Sequence, residues 1–154
     1  MTATSHAITG AAIGLIISQP ILALPAAFAS HFVLDSLPHF AFNDLDKFEQ
    51  RKKIQTTFRL FLLFDTALLA LFSGFLFYAG AGLLIFSALI LAYSPDLVWA
   101  YRYIFRENFG VRPFPQMSAF SRFHVRIQKL DTPKGGFFEL PFTLIVLVFV
   151  IMKL

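Results

Sequence analysis

The chain contains no cysteine and little charge. Without cysteine it has neither a disulfide framework nor a thiolate metal site. Only 14% of its 154 residues are charged, against roughly 25% in a soluble domain, so little polar surface is available to face water. The N-terminal MTATSHAITG has no basic stretch ahead of its apolar run. It therefore lacks the n-region of a secretory signal, and the first apolar segment is expected to stay in the mature protein. No internal repeat, linker or low-complexity stretch interrupts the chain, and its length suits one domain, residues 1–154. No G-x-S-x-G elbow occurs, which argues against a Ser-His-Asp hydrolase of that type.

What is present is hydrophobic. The apolar fraction is 57%, mean hydropathy is +0.70, and there are 21 Phe. Five apolar segments stand out: 7–18, 21–37, 57–78, 83–105 and 136–153. The first two are shorter than the roughly 20 residues of a full span. Gln19-Pro20 separates them, with Pro20 suited to the first turn of a second helix, so they are expected to form a tight hairpin. Gly80-Ala81-Gly82 marks a turn after the third segment. Pro95 suggests a kink or restart in the fourth, with Ser94 as a helix cap. Residues 117–130 place Phe120, Phe123, Ile127 and Leu130 at helical spacing opposite Arg122, Arg126 and Lys129, the pattern of an amphipathic helix at a membrane interface. The expected fold is all-α: a polytopic membrane helix bundle with one interfacial helix.

The positive charge follows this pattern. Net charge is +4, and eleven of the thirteen basic residues fall in two stretches, 47–53 and 102–134. The turns around Gln19 and Gly80 carry none. The positive-inside rule then puts both basic stretches and the N-terminus in the cytoplasm, and the C-terminus outside an inner (plasma) membrane. Because topology accounts for the basic residues and no nucleic-acid motif accompanies them, nucleic acid is not an expected partner. Membrane lipids are.

Ionisable groups inside apolar segments are costly and point to function. With the topology above, His6, His31, Asp35, His39, Asp65, Asp96, His124 and Glu139 all fall in the cytoplasmic half. The densest run is SHFVLDSLPHF, residues 30–40. There His31 and Asp35 share a helix face at i, i+4, and His39 follows just past Pro38. Two imidazoles and a carboxylate within about two turns suit zinc, manganese or iron. Simpler roles stand beside these: Asp96 as a helix-start acid, Asp65 as a partner of Arg59 or Arg102 or a hydrogen-bonding group within the bundle, Glu139 as a first-turn acid, and His124 as an interfacial histidine.

The pattern H…G…H-x3-D-x2-P-H, carried by His6, Gly10, His31, Asp35, Pro38 and His39, resembles the bacterial membrane-bound metal-dependent hydrolases. These are small inner-membrane proteins similar in motif to zinc-dependent phospholipase C-type proteins. Ser94-Pro95-Asp96, Phe123-His124, Ile127-Gln128, Gly136 and Glu139 extend the resemblance along the chain. It implies a divalent metal, zinc first, held by His6, His31, Asp35 and His39, with Asp96 a further candidate. It also implies hydrolysis of a lipid or phosphoester substrate that enters from the bilayer. Asp65, Asp96 and Glu139 are the candidate general bases. Arg59, Arg102, Arg126 and His124 are the candidate phosphate-binding residues. Two readings without catalysis remain open: an ion or proton site, and an assembly factor whose His/Asp network pins the bundle.

Overall fold

The computed structural model describes residues 1–41, 51–101 and 118–154. Its elements are α1 (Ala3–Ile16), α2 (Pro20–Asp35), α3 (Arg51–Tyr78), α4 (Leu83–Tyr101), α5 (Ala119–Ile127) and α6 (Gly136–Lys153), with a 3-10 turn at Pro133–Gly135 ahead of α6. Among the described residues there is no strand, only an isolated bridge between His39 and Asp131. The candidate Arg102, with Lys47, Arg106 and Arg112, lies outside the described residues.

The architecture is all-helical, and α1 is its axis. This short helix packs against α2, α3, α4 and α6. At 14 and 16 residues, α1 and α2 are about 21 and 24 Å long at a 1.5 Å rise, short of the roughly 30 Å hydrocarbon core. Among the described residues, two helices are long and apolar enough to cross a membrane: Arg59–Tyr78 within α3, and Pro133–Lys153, each with mean hydropathy 2.2. Only 17% of each window is buried. Leu60, Leu63, Phe64 and Leu71 on α3, and Phe137, Leu140, Ile145 and Met152 on α6, are exposed. A helix from a soluble core would bury such side chains. Apolar surface on this scale marks an interaction site or a membrane contact.

Small residues let α1 sit at the centre. Gly10 and Gly14 lie one turn apart and face Ala88 and Ala92 of α4, spaced the same way. A Cβ added at Gly10 would lie 2.5 Å from the Ala88 carbonyl oxygen and 2.6 Å from the Ala92 Cβ; at Gly14 it would lie 3.0 Å from the Ile85 Cα. Such small-xxx-small faces bring helix backbones close where lipid supplies no hydrophobic drive for association. Around them Ala7, Ile8, Ala11, Phe72, Leu76, Leu89 and Val150 form one core drawn from α1, α3, α4 and α6.

α1 begins at Ala3, ahead of the apolar segment at 7–18, because its first turn is capped from outside, as described below. One expectation at a helix start is corrected. Helix α4 runs through Pro95 without a restart, so Ser94 is not an N-cap. A proline at 95 offers no N–H to the carbonyl four residues earlier. That carbonyl is Leu91's, and the Ser94 hydroxyl donates to it at 3.0 Å. Gly80, with φ 76°, makes the expected turn between α3 and α4.

Replacing Gly10 with valine forces α1 off α4. We expect destabilisation of about 3 kcal/mol or more, whereas Gly74→Ala on α3, where an added Cβ meets nothing within 4 Å, leaves stability unharmed. Thermal unfolding of the two variants in detergent checks both.

Candidate metal centre

The polar residues of this apolar bundle gather at one end, where α1 and α6 start and α2 finishes. They divide into two groups with different chemistry.

The first group caps α1. A helix leaves its first N–H groups without internal partners, and here every one finds an oxygen. Asp65 accepts from the Ala3 N–H at 2.8 Å and from the Thr4 N–H at 3.2 Å. Thr2 Oγ1 accepts from the Ser5 N–H at 3.1 Å. Glu139 accepts from the Thr2 N–H at 2.6 Å and the Ser5 hydroxyl at 2.9 Å, and its other oxygen accepts from the Phe40 N–H at 2.9 Å. Two carboxylates at a helix N-terminus also complement its positive dipole end. Of the three candidate general bases, Asp65 and Glu139 are thus engaged with backbone amides.

The second group centres on Asp35, which has no exposed surface. Its Oδ2 lies 3.2 Å from His31 Nε2, 2.7 Å from His124 Nε2 and 3.0 Å from Gln128 Nε2. Its Oδ1 lies 3.1 Å from His6 Nε2 and 2.5 Å from the Met1 amine. Asp96 stands beside them, its Oδ1 3.7 Å from His31 Nε2 and its Oδ2 3.9 Å from His6 Nε2. One ligand atom each from His31, Asp35, Asp96 and His124 lies within 4.8 Å of all the others. Three helices supply them: α2 gives His31 and Asp35, α4 gives Asp96, and α5 gives His124.

The donor set fits a divalent ion. Metal-binding histidines usually donate their second ring nitrogen to a carbonyl or carboxylate, which fixes the tautomer. His31 does this, its Nδ1–H donating to the Ala92 carbonyl at 2.9 Å, so in the neutral ring the Nε2 lone pair faces the cluster. His31 Nε2 and His124 Nε2 stand 3.1 Å apart, and such a pair needs a proton or a metal ion between them. Two imidazoles and two carboxylates are a donor set that could hold a metal ion. The Asp96 side chain is 27% exposed, against 0% for Asp35, His6, His31 and His124, so the centre opens on the Asp96 side.

Among the residues singled out in the sequence, His31 and Asp35 fall at the heart of the cluster and His6 at its edge. His39 is not among the four residues whose ligand atoms converge; its Nδ1–H donates to the Leu37 carbonyl at 2.8 Å. Its backbone is clipped to the stretch before α6, with Thr132 N–H donating to the His39 carbonyl at 3.0 Å and Ala41 N–H to the Thr132 carbonyl at 3.3 Å. Gly135 packs so closely against this clip that an added Cβ would collide with the His39 backbone. Arg59 and Arg126 are exposed on α3 and α5. His124, expected at the phosphate, is instead a ligand candidate, and Gln128 one turn later holds Asp35. Position 124 falls within the stripe of 120, 123 and 127, but Phe120 and Phe123 are exposed and His124 is its fully buried member. No family model matches the chain, and neither curated proteins nor solved structures give a match.

The cap makes a separable claim. Asp65→Ala strands two amide donors and should cost about 1–3 kcal/mol. Hydrogen exchange at Ala3 and Thr4 should rise sharply, while α4 amides near Ala88 keep most of their protection.

Proposed function

We propose that the chain is a multi-pass inner-membrane protein that holds a divalent metal ion, zinc first, between His31, Asp35, Asp96 and His124 at its cytoplasmic face. There it would hydrolyse a lipid or phosphoester substrate. The observation that carries the metal reading is the convergence of four ligand atoms from three helices around one buried carboxylate. The hydrolase reading rests on the resemblance of the His6 to His39 pattern to membrane-bound metal-dependent hydrolases. The orientation rests on the basic stretches.

A bound divalent ion supplies Lewis-acid polarisation of a phosphoryl or acyl oxygen. The chain's own residues then have distinct tasks. The Ala92 carbonyl orients His31. Gln128 holds Asp35 Oδ2. Asp96 does not cap α1 and stands at the open edge, so of the four groups that would hold the ion it is the one placed to meet an arriving substrate. The exposed apolar flanks of α3 and α6 suit a protein whose substrate arrives through lipid.

A second reading has an observation of its own. Asp35 ties together α1, α2 and α5, so an ion there would also pin the bundle, as an assembly factor requires.

Elemental analysis of detergent-purified protein tests the proposal. Wild type should carry a transition metal, and His31→Ala and His124→Ala should each lose it while still eluting as folded protein. Gln128→Ala should weaken affinity about 10- to 100-fold, the usual effect of a residue that orients a ligand. Metal retained in both histidine variants would refute the site. If the metal-depleted variants unfold, and wild type cleaves neither acyl- nor phosphoester lipids, the pinning role is the correct one.

A further inference from the structure

His6 is the residue the four-ligand group leaves over, and it is not a comfortable structural histidine. It is fully buried, and its Nδ1 is a buried polar atom without a hydrogen-bond partner. Leaving such a group unsatisfied costs about 1–3 kcal/mol. Its other nitrogen faces two carboxylates, Asp35 Oδ1 at 3.1 Å and Asp96 Oδ2 at 3.9 Å.

Those are the outer oxygens of the same two carboxylates whose other oxygens face His31. Asp35 turns Oδ2 toward His31 and His124 and Oδ1 toward His6. Asp96 turns Oδ1 toward His31 and Oδ2 toward His6. Each acid therefore presents one oxygen to either half of the centre. The His6 and His31 rings are stacked, with centroids 4.0 Å apart and planes 27° from parallel. Two-metal sites have ions about 3.5–4 Å apart, a separation of the same order as this ring spacing.

We propose that the centre takes two divalent ions, with Asp35 and Asp96 bridging them. One ion has His31 and His124 as its further ligands and is closed by four protein groups. The other has His6 alone beyond the bridges, which leaves positions open for water or substrate, as catalytic metals require. The proposal rests on the metal reading above and adds to it the number of ions and the role of His6.

The test uses manganese on full-length chain stripped with a chelator and reloaded. Metal content should reach about two ions per chain, and low-temperature electron paramagnetic resonance should show an exchange-coupled pair. The His6→Gln variant should bind one ion and give an uncoupled spectrum. One ion in wild type, lost on His31→Ala, would overturn the pair and leave the single-metal site standing. No bound ion in wild type would remove the metal reading itself and this inference with it. If His6→Gln does not fold, the wild-type stoichiometry and spectrum decide.

Discussion

A carboxylate with no exposed surface, set among apolar helices, has to be neutralised where it lies. Moving such an ion out of water costs several kcal/mol even after relaxation. Asp35 is that group, and much of the molecule is arranged around it. Nitrogens from α1, α2 and α5, from the Gln128 side chain just after α5, and from Met1 converge on its two oxygens. Helix α5 meets the bundle at this point and at Phe32, whose ring lies against Phe120, Phe123 and His124. An apolar side chain at 35 would need none of these partners. Two imidazole nitrogens brought within 3.1 Å of each other beside the acid make sense as a place for a cation.

The other buried acids show how one bundle assigns different work to the same side chain. Asp65 and Glu139 receive backbone N–H groups, and their charge is spent on the start of α1. That start matters because α1 is too short to span and is held by its neighbours. Its first turn is fixed by α3 and α6 through these acids, and its middle by the glycine face on α4. The capped first turn in turn sets where His6 stands. Asp96 has no such duty, and it alone among the cluster side chains is open to the outside.

Much of this was legible in the sequence because periodicity and cost speak plainly. Helices α2, α3, α4 and α6 fall where the apolar segments do, and the His31–Asp35 pair follows from i, i+4 spacing. The sequence also marked the gathering of ionisable groups at one end. It was silent where the decisive partner is distant along the chain. Asp65 reads in the sequence as a general base, an arginine's partner or an acid hydrogen-bonded within the bundle, and only the fold shows that its partner is the N-terminus of α1. Ser94-Pro95 looks like a helix start, and only the Leu91 carbonyl explains the serine. His39 sits in the densest motif, yet the backbone clip to Thr132 turns it to a local carbonyl. His124 lies on the expected helix, and its burial follows from its contact with Asp35, a partner far away along the chain.

The central claim is that this buried His/Asp cluster is a metal centre built by the fold. X-ray absorption at the zinc edge, on purified protein reloaded with zinc, tests it most directly. Nitrogen and oxygen ligands at about 2.0–2.2 Å, with imidazole scattering that falls in the His31→Ala and His124→Ala variants, is the predicted result. Zinc that shows no imidazole scattering, or scattering unchanged by either substitution, would contradict it.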